Sequence, residues 1–77
     1  MALVRGFSKS AMERNSLHNE IDASYAVFER DGRVIVQLDT FGSNKRQLPG
    51  KKSQTIQLDR KGASALYEIL KSAFGFD

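Results

Sequence analysis

The side chains best suited to chemistry in this sequence are basic residues grouped between positions 44 and 61. This segment carries six lysines and arginines against a single carboxylate, Asp59, which gives it a local net charge of +5. Residues 1–43 carry five basic and six acidic side chains, and residues 62–77 carry one basic and two acidic side chains. The basic residues of the central segment are Lys45, Arg46, Lys51, Lys52, Arg60 and Lys61. Such a concentration of positive charge is typical of a surface that contacts a polyanion, although a solvated loop kept soluble by lysines has the same composition.

Side chains suited to catalysis or metal binding are sparse. The chain has no cysteine and His18 is its only histidine, so a metal site would have to consist of carboxylates. No two carboxylates have a spacing that indicates an acid–base pair. Residues 50–53, GKKS, are similar to the end of a phosphate-binding P-loop, but the upstream glycine is missing and a strand is expected to follow. The sequence therefore predicts no catalytic residue, no metal, no cofactor and no small-molecule substrate, and a protein that is not an enzyme.

The length of the chain predicts one domain that needs outside support. A chain of 77 residues buries only about 60 % of the surface that its unfolded form exposes, so we expect a partner chain to add stability. The chain has no run of about 18 apolar residues, which a membrane span would need, and its N-terminus lacks the apolar run of a signal peptide. These features lead us to expect a soluble cytoplasmic protein that does not contact membranes.

The first 22 residues are polar and weakly patterned, and we expect them to form an N-terminal arm preceding a folded domain at residues 23–77. Residues 10–13, Ser-Ala-Met-Glu, match a capping box that would open a short helix toward Asn15. A short helix and a flexible arm both stay open as interpretations of this segment.

A β-hairpin is the clearest structural prediction. The runs YAVFER and RVIVQLDTF flank Asp31-Gly32, and this dipeptide favours a type I′ turn because both central residues need a positive φ. A two-residue turn fixes the pairing, so Arg30 should lie opposite Arg33, and Phe28 opposite Ile35.

A further strand and a final helix should follow the basic loop. Residues 54–59, QTIQLD, alternate apolar and polar side chains, as a half-buried strand does. Asp59 is then a suitable N-cap, and Gly75 a suitable residue to end the helix. The apolar residues that recur at helical spacing are Ala63, Leu66, Leu70, Ala73 and Phe74. The predicted class is α+β, with an antiparallel sheet followed by a C-terminal helix.

The hairpin register sorts side chains onto two faces. One of them, called the apolar face here, carries Tyr25, Val27, Val34, Val36 and Leu38, with Glu29 near the turn. We expect the helix to cover this face with Leu66, Leu70 and Phe74. The other, called the Phe28 face, carries Ala26, Phe28, Arg30, Arg33, Ile35, Gln37, Asp39 and Phe41.

The Phe28 face combines rings and cations in a way that suits a single-stranded nucleic acid, because bases stack on rings while cations follow the phosphates. Arg30 and Arg33 are expected directly opposite each other, which is destabilising unless water or an anion separates them. The alternative is that the apolar side chains of this face are buried under residues 1–22 or against a second subunit. The basic loop should leave the sheet at the Phe41 end of the same face, which favours the nucleic-acid interpretation.

The chain also resembles a known family over about residues 25–72. The run YAVFERDGRVIVQLDTF, the basic loop with PGKK at residues 49–52, and TIQLD leading into ALYEIL are similar to the transcriptional positive cofactor 4 family of single-stranded DNA-binding proteins. The resemblance implies a curved antiparallel sheet with a C-terminal helix, a homodimer, and binding of single-stranded or melted DNA. Where the family often has a tryptophan after the residue matching Phe41, this chain has Gly42, which shifts the expected balance from stacking toward phosphate contacts.

The sequence thus predicts a homodimeric module that binds single-stranded nucleic acid, with DNA favoured, at low sequence specificity, in transcription or in replication and repair. The dimer is expected from the small core and from Tyr67, Ile69 and Phe74, which give the helix more apolar surface than one sheet face covers. The predicted binding residues are Phe28, Arg30, Arg33, Phe41, Lys45, Arg46, Lys51 and Lys52. The alternatives are a protein-interaction or accessory subunit whose second sheet face is an interface, and a binder of RNA or double-stranded DNA.

Overall fold

The computed structural model describes residues 1–41 and 52–77, and the side chains of all of these except residues 52 and 53. Within these residues, four strands and one helix follow one another, which confirms the α+β class. The elements are β1 (Ala2–Val4), β2 (Ala23–Arg30), β3 (Arg33–Phe41), β4 (Lys52–Leu58) and α1 (Arg60–Phe74). The strands form one sheet in the order β1-β4-β3-β2.

The sheet is mixed, so the prediction of a wholly antiparallel sheet is wrong in one place. β2–β3 and β3–β4 are antiparallel pairs, whereas β1 runs parallel to β4, with Leu3 opposite Gln57. Parallel neighbours need a long connection between them, and here the whole β2–β3 hairpin lies between β1 and β4. Three apolar residues, Ala2 to Val4, are too few to show an alternating pattern that would have predicted this strand.

The predicted hairpin is confirmed. Asp31 and Gly32 have φ values of 53° and 76°, so both turn residues lie in the left-handed region. Pairing begins with Arg30 opposite Arg33 and continues in the predicted register to Ala23 opposite Thr40.

β4 begins earlier than predicted. Lys52, predicted as part of the basic loop, is the first residue of the strand. A register shift between Thr40 and Phe41 pairs Thr40 with Gln54 and Phe41 with Lys52. Because of this irregularity the strand begins at Lys52, before Gln54, which is the residue where the alternating pattern of the sequence starts.

Residues 5–22 contain neither a helix nor a strand, so the short helix considered for residues 10–15 is not present. Met12 and Leu17 are 66 % and 98 % exposed. A short helix is marginal without an apolar face packed on the protein, and these side chains have no such packing.

Both predicted ends of α1 are confirmed. The Asp59 side chain accepts a hydrogen bond from the Gly62 backbone N–H at 2.9 Å, which satisfies one of the unpaired donors of the first turn. At the other end Gly75 adopts a φ of 73°, and its N–H donates to the Lys71 carbonyl oxygen at 2.9 Å. Among the described residues no helix is both long and apolar enough for a membrane crossing.

The helix does not cover the apolar face of its own chain, so that prediction is wrong. Tyr25, Val27 and Val34 are 74 %, 59 % and 54 % exposed, and Phe74 of the helix is 68 % exposed. The buried and half-buried residues of α1 all lie in its first two turns, at Gly62, Ala63, Ala65 and Leu66. The apolar side chains in the rest of the helix do not pack on the sheet. Helical spacing does not determine which surface such side chains contact, so the sequence alone could not predict this.

Candidate nucleic-acid interface

The hairpin brings three of the predicted site residues together at one corner of the Phe28 face. Phe28 and Arg30 lie on β2, and the register sets them opposite Ile35 and Arg33 of β3. All four line a shallow depression of about 400 Å³. Its other lining residues are Leu3, Asp31, Gln37 and Gln57, and none of them belongs to α1. Within the described part of the chain, the helix therefore leaves this corner uncovered.

The four side chains differ in what they offer a ligand. Ile35 is only 5 % exposed and forms the floor of the corner. Phe28 is half-buried, while Arg30 and Arg33 are exposed. A ring held on an apolar floor beside two cations suits a stacked base with phosphates on its outer side.

The two arginines are not equally free. Arg33 Nη1 lies 3.5 Å from Asp59 Oδ2, a long contact that leaves most of its N–H groups unused. Arg30 forms no ion pair with any residue in the described ranges 1–41 and 52–77. Arg30 therefore has more N–H groups free than Arg33 to donate hydrogen bonds to a phosphate.

Asp59 shares its carboxylate between the helix cap and two arginines. Oδ1 accepts from Gly62, and Oδ2 lies 2.8 Å from Arg5 Nε. The hydrogen bond from Gly62 holds the pKa of Asp59 below its ordinary value, and the charges of Arg5 and Arg33 lower it further, against the opposing effect of burial. The carboxylate is therefore ionised at neutral pH and keeps Arg5 and Arg33 close to the start of α1.

The centre of the Phe28 face is a hydrogen-bonded polar ladder that the sequence did not predict. Gln57 donates to Gln37 Oε1 at 2.9 Å, Gln37 donates to Asp39 Oδ2 at 3.0 Å, and Thr55 donates to Asp39 Oδ1 at 2.6 Å. Asp39 is only 5 % exposed. A buried carboxylate at this position repels phosphates, so an anionic strand is better accommodated at the arginine corner than over the ladder.

Phe41 lies at the far end of the face, six residues along β3 from Ile35, which corresponds to about 20 Å. It is half-buried and pairs with Lys52 through the backbone. Lys45, Arg46 and Lys51 lie outside the described residues. The structure thus groups Phe28 with Arg30 and Arg33, and it separates Phe41 from that group.

Arg5 and Leu3 are neighbours of the corner that sequence reasoning missed. Both belong to residues 1–22, for which the sequence predicts a separate N-terminal arm, and both reach the sheet only because β1 pairs with β4. No local pattern marks them, since the contact joins residues more than 50 positions apart. Among the described residues no three His, Cys, Asp or Glu side chains come together as a metal site requires.

Comparisons with models of protein families, with curated proteins and with solved structures find no match for this chain.

Proposed function

We propose that this protein is a homodimeric module that binds single-stranded nucleic acid, with DNA favoured, in transcription or in replication and repair. The observation that carries the proposal is the corner formed by Phe28, Arg30 and Arg33, which the chain's own helix leaves uncovered. The same function is what the resemblance of residues 25–72 to the transcriptional positive cofactor 4 family implies.

Binding rests on stacking and on phosphate contacts. A base stacked on Phe28 contributes about 1–3 kcal/mol, and Arg30 and Arg33 neutralise the adjoining phosphates. The separation of about 20 Å between this corner and Phe41 corresponds to roughly six stacked nucleotides at about 3.4 Å each. The basic residues Lys45, Arg46, Lys51 and Lys52 follow Phe41 in the sequence and would add phosphate contacts to the site.

Low sequence specificity follows from this chemistry. Every base presents a flat face for stacking, and phosphates are the same at every position, so neither contact identifies a base. The donors of the polar ladder are already used within the sheet, because Gln37 and Thr55 donate to Asp39.

The homodimer is supported by the large apolar surface that the single chain exposes. Ile35 and Leu58, which are 5 % and 6 % exposed, are the only buried hydrophobic side chains among the described residues, and this is a small core for a 77-residue chain. The exposed apolar side chains of the sheet, the helix and the residues after it are Tyr25, Val27, Val34, Ile56, Tyr67, Ile69, Leu70, Phe74 and Phe76. Four of them, on β2, β3 and β4, share the apolar face. Exposed apolar surface on one sheet face is typical of an interface, and a second copy packed on it would leave the Phe28 face accessible.

A role as an accessory subunit is the second candidate, and the same exposed surface favours it. In that case a different protein covers the apolar side chains, and the Phe28 face adds to the interface instead of binding nucleic acid. The two functions differ in a simple measurement, since only the first requires direct binding of a strand by the purified protein.

The test is a titration of fluorescently labelled oligo(dT) with the purified protein, followed by anisotropy at several salt concentrations. We expect binding that weakens steeply as salt rises, because each neutralised phosphate releases counterions. Absence of binding at low salt, or an affinity that salt does not change, would overturn the proposal. RNA and duplex DNA of the same length, measured in parallel, establish which nucleic acid is preferred.

The basic loop is tested by changing Lys51 and Lys52 together to Glu, with Lys9 and Arg14 of the N-terminal arm changed together to Glu as the charge-matched control. We expect the loop variant to lose affinity and to show a flatter salt dependence. Equal affinity of the two variants would remove the loop from the mechanism.

A further inference from the structure

A second group of cations lies beside the corner, around the start of α1. Arg5, Arg33, Arg60 and Lys61 line one open depression together with Asp59 and Glu68. We call these four cations the rim patch. Four basic side chains against two carboxylates leave the depression with a net charge of +2.

The positive charge of the rim patch is accessible. Both oxygens of Asp59 are engaged inside the protein, with Gly62 and Arg5 at 2.9 and 2.8 Å. Arg5 uses Nε in this contact, so its terminal nitrogens stay available as donors. The side chains of Arg5 and Arg33 are 59 % and 50 % exposed. Arg60 and Lys61 are exposed and form no ion pair within the described residues.

Helix stability does not account for Arg60 and Lys61. The first turn of a helix favours carboxylates, because its unpaired N–H groups carry partial positive charge. The first turn of α1 contains no acidic residue and begins with these two cations. Their position opposes the helix dipole, which indicates that the charges serve contact with something outside the chain.

The rim patch continues the corner of the Phe28 face without a break. Arg33 lines both depressions, and it pairs directly with Arg30. A chain of five cations therefore runs from Phe28 around the edge of the sheet to the first turn of α1. A strand stacked on Phe28 has an unbroken row of donors to follow in this direction, away from the carboxylate of Asp39.

We propose that the rim patch binds the phosphates of the same nucleic acid strand as it leaves the Phe28 face, with Arg5, Arg60 and Lys61 as additional phosphate contacts. This inference rests on the proposed function, because the strand is the one held at Phe28. It adds a direction to the binding site and extends it from one sheet face to the start of the helix.

The experiment replaces Arg60 and Lys61 together by Ala and measures oligo(dT) affinity as a function of salt. The control is Lys71→Ala, which removes a cation from the other end of the same helix. Two lost phosphate contacts should weaken binding about tenfold at physiological salt and flatten the slope of log K against log salt by about 1.4 per chain. The control should keep the affinity and slope of the unchanged protein.

Unfolding cannot imitate the expected result. Removing two cations from the first turn relieves an unfavourable interaction and introduces alanine, the best helix former, so we expect the Tm of the double variant to be unchanged or higher. If the unchanged protein binds oligo(dT) and the double variant has the same affinity and salt slope, the proposal that the rim patch binds phosphates is overturned and the proposed function is not. A complete lack of oligo(dT) binding by the unchanged protein would overturn this inference together with the proposed function.

Discussion

Arg5 Nε lies 2.8 Å from Asp59 Oδ2, so the N-terminal segment is tied to the cap of the C-terminal helix. The contact joins residues 54 positions apart and depends on β1, which ends at Val4, immediately before Arg5. One carboxylate thereby connects three elements: the start of α1 through Gly62, the start of β3 through Arg33, and the end of β1 through Arg5.

Replacing Asp59 should separate its capping role from its ionic role. Asn caps a helix about as well as Asp but carries no charge, whereas Ala neither caps the helix nor carries a charge. We expect the Tm at neutral pH to fall in the order wild type, Asp59→Asn, Asp59→Ala, measured by circular dichroism. Equal Tm values for the Asn variant and wild type would show that the ion pairs with Arg5 and Arg33 contribute nothing.

The ionic part of this stabilisation should depend on pH. The pKa of Asp59 is lower in the folded protein than its ordinary value of 3.8, so its ionised form favours folding. That contribution is fully present above the unfolded-state pKa and is lost as the pH falls through the lower folded-state pKa. The difference in Tm between wild type and Asp59→Asn should therefore be constant near neutrality and shrink below about pH 3.8. A difference that grows on acidification would contradict this assignment.

Gly62→Ala should destabilise the protein even though alanine favours helices. Gly62 is buried, and a methyl group there would overlap the Val4 carbonyl oxygen and come within 3.3 Å of Arg5 Cα. Both contacts are to backbone, so β1 or α1 has to move. We expect an overpacking cost of about 1–3 kcal/mol, against a propensity gain of about 1 kcal/mol, and a Tm lowered by several degrees. The exposed Ser64→Ala is the control and should leave the free energy of unfolding within about 0.5 kcal/mol of the wild-type value. A stabilised Gly62→Ala variant would show that β1 does not pack against the helix.

The hairpin and the helix ends could be predicted because their causes are local. Asp31 and Gly32 determine the turn, the turn determines the register, and Asp59 and Gly75 determine where the helix begins and ends. The corner of Phe28, Arg30 and Arg33 follows from the register alone. The register is therefore sufficient to place these three of the eight predicted site residues next to one another.

The remaining features depend on contacts between distant parts of the chain. β1 has three residues and pairs with a strand 50 positions away, so neither its presence nor the place of Arg5 could be predicted. The apolar spacing of α1 indicates that one side of the helix must be buried, but not whether its own sheet or another chain buries it. The hydrogen bonds that occupy Gln37 and Asp39 depend on Thr55 and Gln57 of the neighbouring strand.

Phe28→Leu tests the stacking contact. Leucine keeps an apolar side chain over Ile35 and removes the aromatic ring, so we expect oligo(dT) affinity to fall by roughly 5- to 150-fold, which corresponds to about 1–3 kcal/mol for one stacked base. The slope against salt should not change, because no phosphate contact is lost. Phe7→Leu removes a ring that is 46 % exposed in the N-terminal segment and is the matched control, with wild-type affinity expected. If the two variants bind alike, Phe28 is not a stacking residue.

Val27→Asp tests whether a second copy covers the apolar face. Val27 lies on that face in the edge strand β2 and is 59 % exposed in the single chain, so a charge there would be buried without a partner in the dimer. We expect light scattering coupled to size exclusion to give twice the 8.6 kDa mass of one chain for wild type and the mass of one chain for the variant. Leu17→Asp introduces the same charge at a side chain that is 98 % exposed in the N-terminal segment, and it should stay dimeric. A wild-type monomer at every concentration measured, or a Val27→Asp variant as dimeric as Leu17→Asp, would exclude a dimer formed through the apolar face.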